Sequence, residues 1–220
     1  MAALEREVAP LIRNWKMRTL EHSGRRFQIF ENGDAALVCG GIGAEAARRA
    51  TEAVIQELRP ARVLSVGFAG ALDPALQVAD VVEPRTVINA GDGVRTDTGA
   101  GHGALISYVA VASKAQKEKL GKAFGASVVD MEAAAVAQGA QARGVQFGAL
   151  KAVSDEAGFA MPAMERFITA DGHFLGARFA LHVVVHPNMW KAAVRLARNS
   201  SRASQALSGA ILRYLEREKS

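Results

Sequence analysis

Apolar positions alternate along the chain between helical spacing and short continuous runs, and the two patterns take turns. Val8, Leu11, Ile12 and Trp15 share one face of a helix predicted over Glu5–Trp15. Phe27–Phe30 and Ala35–Cys39 read as short strands around Glu31-Asn32-Gly33-Asp34, a hairpin signal. Gly40, Gly41 and Gly43 lead into a helix over Ala44–Leu58, with Ala47, Val54, Ile55 and Leu58 inward and Pro60 beyond its end. Arg62–Phe68 is a buried strand that runs out in Gly67-Phe68-Ala69-Gly70, and Asp80–Ile88 is another. The glycine-rich stretch 90–104 reads as loop. Then come a strand at Leu105–Ala112, a helix at Lys114–Phe124, a strand at Ser127–Val129, a helix at Met131–Arg143 and a strand at Gln146–Val153. Met164–Val185 is mostly helical, interrupted near Gly172 and Gly176, and the last helices follow Pro187.

Strands alternating with helices predict an α/β fold, a single domain with a mixed, mainly parallel central sheet flanked by helices. The 220 residues are enough for one such domain. No repeat or linker divides them. The expected division is an α/β domain over 1–186 and a basic helical extension over 187–220 packed on it.

Composition excludes several classes. Hydrophobic residues make up 50% and charged residues 22%, which argues against disorder. The single cysteine, Cys39, excludes an intramolecular disulfide framework and a multi-Cys zinc site. No apolar run approaches the ~20 residues of a membrane span. The first residues, with acids early, do not read as a signal peptide, so a cytoplasmic location is expected. The net charge is +5, and Met189–Ser220 alone carries seven basic and two acidic residues, which accounts for all of it. The neutral body argues against a nucleic-acid groove. The basic, amphipathic end reads as a docked helix with a solvated face, and leaves peripheral contact with an anionic membrane as the second reading.

Ligands of open α/β sheets bind beyond the carboxyl ends of the strands. That rule singles out Asp155 in Val153-Ser154-Asp155-Glu156, Asp130 and Glu132 after Val128-Val129, and Gly67–Gly70. Each also has a bland reading: Asp130 as an N-cap, Glu132 as a first-turn acid, Asp155 as a turn cap. Gly40-Gly41-Ile42-Gly43 before a helix resembles an anion-binding turn but is not a dinucleotide fingerprint. The five histidines lack metal-ligand spacing; His182 and His186, four apart, read as surface residues rather than a zinc clip. No metal or cofactor is expected, and no G-x-S-x-G elbow is present.

Three segments together resemble the nucleoside phosphorylase superfamily. They are Val129-Asp130-Met131-Glu132-Ala133-Ala134-Ala135-Val136-Ala137, Val153-Ser154-Asp155, and Gly67-Phe68-Ala69-Gly70-Ala71-Leu72 followed by Val78-Ala79-Asp80-Val81-Val82. Ala2-Ala3-Leu4-Glu5-Arg6-Glu7-Val8 is similar to the start of the branch that cleaves methylthioadenosine and S-adenosylhomocysteine. The resemblance implies cleavage of the N-ribosidic bond of a purine nucleoside. It assigns Asp155 as general acid to the departing base and Glu7 as the residue that positions water. Glu132 would accept hydrogen bonds from the ribose, with Met131 packed at the sugar. Asp130, Ser154, Phe68, Ala69 and Gly70 would complete the binding site. It implies a homo-oligomer, and it leaves inorganic phosphate open as a co-substrate, for which Arg48, Arg49 and Arg85 are available by type. Phe68 stands where the nucleosidases usually carry a small hydroxyl residue, and Lys151 where they usually carry Arg. Family members have a core strand just before the Ala-x-x-x-Glu segment; Met1 stands there, so that strand is expected to be missing. His173–Leu207 resembles the Arg-rich extension of the hopanoid-associated branch, whose implied substrate is adenosylhopane. A phosphate-dependent phosphorylase and a non-catalytic nucleoside-binding protein on the same fold are the alternatives.

Overall fold

The computed structural model describes residues 1–159, 165–169 and 171–218. After α1 (Glu5–Ile12), β1 (Lys16–His22), β2 (Arg25–Asn32) and β3 (Ala35–Val38) form an antiparallel sheet. Then come α2 (Ala44–Leu58), β4 (Arg62–Ala71), β5 (Val81–Val82), β6 (Thr86–Asn89), β7 (Arg95–Asp97), β8 (Ala104–Ser107), α3 (Lys114–Phe124), β9 (Val128–Asp130), α4 (Ala133–Gln141) and β10 (Gln146–Asp155). A short 3₁₀ turn, α5 (Gly176–Val184), a second 3₁₀ turn and α6 (Trp190–Arg217) follow.

The second sheet has seven strands in the order β5-β10-β4-β9-β8-β6-β7. Two parallel groups, β10 with β4 and β9-β8-β6, meet where β4 and β9 pair antiparallel at Gly70–Val129 and Ala71–Val128. The fold is therefore the expected mixed α/β domain. The antiparallel junction brings the C-terminal ends of β4 and β10 near those of β8 and β9, which is where a cleft can form.

Several elements differ from their predicted form. β1 is absent from the sequence pattern because Leu20 is its one buried residue, so no alternation marks it. The signal that was there is Ser23-Gly24, both with positive φ, a two-residue turn joining β1 to β2. α1 ends at Ile12, and Trp15 packs on the core from beyond it. The strand predicted at Asp80–Ile88 is two strands separated at Glu83-Pro84-Arg85; proline cannot donate to a ladder. The predicted loop 90–104 contains β7, and the strand predicted at Leu105–Ala112 stops at Ser107. Within the stretch predicted as helix from Met164, that residue lies outside the described ones, and regular helix begins only at Gly176.

The expected missing strand has a partial counterpart. Ala2 N donates to Val38 O and Gly40 N to Ala2 O, while Val66 N donates to Met1 O. Residues 1–3 thus lie between β3 and β4 and bond to both, so the edges of the two sheets are joined there.

Two helical layers cover the large sheet. On one face α4 presents Ala133–Ala137 against Val63, Ala69, Phe147 and Val153, with Ala47 and Ile55 of α2 behind. On the other, Ala203, Leu207, Ala210 and Ile211 of α6 bury against Val8, Leu11 and Ile12 of α1 and Val66 and Leu150 of the sheet. α6 is therefore part of the core as well as a basic surface.

Candidate active site

One cleft gathers the residues to which the resemblance gives catalytic and binding roles. Glu7, Phe68, Ala69, Gly70, Asp130, Met131, Glu132, Ser154 and Asp155 all line it, with Ala110–Ala112, Ile168 and Leu196 as apolar wall. They arrive from α1, β4, the β9–α4 junction and the end of β10, segments far apart in the chain.

Glu7 is buried, and its Oε2 accepts from Ala3 N and Leu4 N at 3.2 Å each. A glutamate at the third helical position reaches back to the chain entering the helix, which is why α1 holds it there. Burial pushes its carboxyl above the usual range, against the pull of the Leu4 N–H, Lys151 and Arg6. Gly67, at φ +152°, admits this carboxylate: a Cβ there would stand 3.1 Å from Oε2.

Asp130 and Glu132 do different jobs two residues apart. Asp130 is buried and fully engaged, accepting from Ser107 Oγ at 2.5 Å, Ala133 N at 2.9 Å and Lys151 Nζ at 2.9 Å. The N-cap position of α4 expected for Asp130 falls to Glu132; Asp130 ends β9, takes the first helical N–H through its side chain and forms a buried ion pair as well. Glu132 is half-buried, and its Oε1 accepts from Gly43 N at 2.7 Å. The glycine turn before α2 thus gives its N–H to a protein carboxylate. Burial first, and then Asp130, push the Glu132 carboxyl up to about 8.

Lys151 anchors this acidic group and was not among the predicted site residues. Its side chain is 1% exposed, and Nζ also meets Ser65 Oγ at 3.1 Å. Burial would lower its pKa, yet Asp130, Glu132 and Glu7 together raise it. An ammonium buried among three carboxylates stays charged.

Asp155 ends β10. Ser154 Oγ donates to its Oδ1 at 2.7 Å, and Lys117 Nζ, from α3, forms an ion pair with its Oδ2. Lys117 also donates to Glu156 O at 2.9 Å. Gly70 makes the meeting possible, since a Cβ there would lie 3.0 Å from both Asp155 Oδ2 and Lys117 Cε. Lys117 too escaped the sequence reading. Its one signal was position: it lies three residues before Leu120 on the buried stripe of a polar helix.

A profile of the phosphorylase superfamily matches residues 1–117 and 109–174. The chain belongs to the phosphorylase superfamily. Over 93 residues it is 34% identical to a 5'-methylthioadenosine/S-adenosylhomocysteine nucleosidase of Marinomonas sp., a stretch that spans 40% of each chain. It is similar in fold to a futalosine hydrolase of Helicobacter pylori, with TM-score 0.72 and 18% identity over 98% of this chain and 95% of that one. The 5'-methylthioadenosine nucleosidase of Arabidopsis thaliana superposes with TM-score 0.73 and 19% identity, over 98% and 92% of the two chains.

For a superfamily member the placement of cations is informative. Arg48 pairs with Glu45 and Glu52, Arg49 with Glu45 and Asp171, and Arg85 with Asp97. None of the three lines the cleft; Arg6 and Lys117 do. The rings of His182 and His186 lie with centroids 3.9 Å apart, tilted by 39°. Among the described residues no group of three or more His, Cys, Asp or Glu could hold a metal ion. Cys39 is partly buried, and burial pushes its thiol up to about 12. No described helix is long and apolar enough to cross a membrane.

Proposed function

We propose that this protein cleaves the N-ribosidic bond of an adenosyl nucleoside with water and releases adenine. The observation that carries the reading is the convergence of Asp155, Glu132 and Glu7, from three remote segments, on one cleft. Cleavage passes through an oxocarbenium-like sugar, so two carboxylic groups on opposite sides of the scissile bond suit it. Asp155, oriented by Ser154, donates a proton to a ring nitrogen of the departing purine. Glu132 accepts hydrogen bonds from the ribose hydroxyls. Glu7 holds the water and takes its proton as the C1′–O bond forms. Burial, which raises the affinity of the Glu7 carboxyl for a proton, makes it a better base than a solvated glutamate.

The nucleosidase relatives support the same substrate class. Hydrolysis is preferred to phosphorolysis because the three arginines considered for phosphate are ion-paired away from the cleft. The apolar wall of Ile168 and Leu196 suits an apolar 5′ substituent, and a lipid-linked nucleoside such as adenosylhopane is the extreme case.

Incubation with methylthioadenosine, S-adenosylhomocysteine and adenosine, following free adenine by chromatography, tests the reading. Release is expected without phosphate. Release that requires phosphate, with ribose 1-phosphate formed, would make the protein a phosphorylase. Binding without cleavage over hours would make it a nucleoside-binding protein. Asp155→Asn is expected to lower turnover by about 10²–10⁴-fold, the range for losing a general acid, with the fold intact by circular dichroism. Full turnover in that variant would remove Asp155 from its role.

A further inference from the structure

The ion pair between Lys117 and Asp155 has no part in the mechanism above. It is buried, with both side chains 3% exposed. Burying two charges is costly unless geometry and further hydrogen bonds compensate. Here Ser154 occupies Asp155 Oδ1, and Glu156 O takes a second Lys117 N–H. α3 is fixed at its start by Ser113 and Gln116, which exchange hydrogen bonds across the first turn, so Lys117 is aimed from a rigid base. Gly70 clears the space in which the ammonium and the carboxylate meet.

We propose that Lys117 is a positioning residue for departure of the purine, acting through Asp155. The inference rests on the cleavage reading and goes beyond it. When the C1′–N bond breaks, its electron pair passes to the purine ring. Asp155, protonated from solvent beforehand, gives its proton to a ring nitrogen and is left as a carboxylate. That carboxylate forms beside a fixed ammonium, in the ion pair that the structure displays. Lys117 therefore favours the proton-donated side of the step and keeps Oδ2 in place. Neither the sugar nor the attacking water needs it.

The test uses two leaving groups. A purine must be protonated to leave; the nitrophenolate of 4-nitrophenyl β-D-ribofuranoside leaves without a proton. Lys117→Met is expected to lower release of the purine by about 10²-fold, in the range for impaired acid catalysis. Release of nitrophenol should stay within about threefold of the original chain. Lys117→Gln keeps a hydrogen-bond donor for Oδ2 without the charge, and serves if the methionine variant fails to fold. It should lose the purine reaction selectively too, and Lys117→Arg should recover most of it. An equal loss on both substrates, or no loss on either, overturns the inference while cleavage by the unsubstituted chain stands. If the unsubstituted chain releases neither purine nor nitrophenol, the cleavage reading falls and the inference with it.

Discussion

Glu132 and Lys151 set the charge balance of the site. The Glu132 carboxyl is raised from 4.5 to about 8, so the folded chain binds a proton that the unfolded chain releases between those values. Stability from this group is complete on the acid side of that window and is lost as pH rises through it. Denaturant midpoints at about pH 6 and about pH 8.5 should show this decline, and Glu132→Gln should flatten it. A variant that declines as steeply as the original would place the cause elsewhere. Lys151 is the sharper case. Removing it leaves Asp130 buried without its cation, beside Glu132 and Glu7. Lys151→Met should cost about 3–5 kcal/mol of unfolding free energy, read by urea titration. A loss below about 1 kcal/mol would show that the carboxylates neutralise themselves by protonation. At this scale Asp155 and Glu132 were legible, because each follows an apolar strand whose end must face the ligand edge. Lys117 and Lys151 were not. A buried lysine is recognisable by its partner acids, and those are brought to it from other elements by folding.

Among elements, the close approach of α2 and α4 shows how small residues shape the scaffold behind the site. Glu132 is the N-cap of α4 and Asp130 accepts the N–H of its first residue, so the seating of α4 bears on both. A Cβ at Gly139 would stand 2.9 Å from Thr51 Cγ2 of α2, a β-branched side chain with little room to turn. Thr51 is itself buried and bonded to Ala47 O at 2.8 Å. Gly139→Ala should therefore destabilise by about 1–3 kcal/mol from overpacking, set against about 1 kcal/mol regained in helix propensity. Thermal melts compare the two; a raised Tm would mean that the helices separate without cost. Element identity was legible wherever apolar periodicity was strong, as in α2, α4, β4 and β10. It failed at β1, whose single buried residue leaves no alternation, and across Pro84, where two short strands read as one.

Across the whole molecule, charge and apolar exposure concentrate at one corner. Leu181 and Val184 of α5, Val185 just beyond it, and Trp190 and Val194 of α6 are each more than half exposed. No acidic residue occurs between Asp171 and Glu216, while Arg178, Lys191, Arg198 and Arg202 lie in that stretch. We propose that this corner rests on an anionic lipid surface, since exposed apolar side chains with Trp beside basic ones suit a headgroup boundary. Vesicles containing phosphatidylglycerol should sediment the protein at low salt, and purely zwitterionic vesicles should not. Trp190→Ser with Lys191→Glu should abolish the binding. Self-association through this face, seen by sedimentation without lipid, would replace the membrane reading.

The sequence by itself determined the alternation of strands and helices, the membership of one superfamily and the acids at strand ends. Those features are local: each rests on a periodic pattern or on a short motif within a few residues. Tertiary structure decided what stands opposite what. It placed residues 1–3 between two sheets, turned Asp130 inward onto Lys151, and brought Lys117 to Asp155 from thirty-eight residues away. Such pairings are set by the order of strands in the sheets and by how helices seat on them, and no periodicity along one chain segment encodes them.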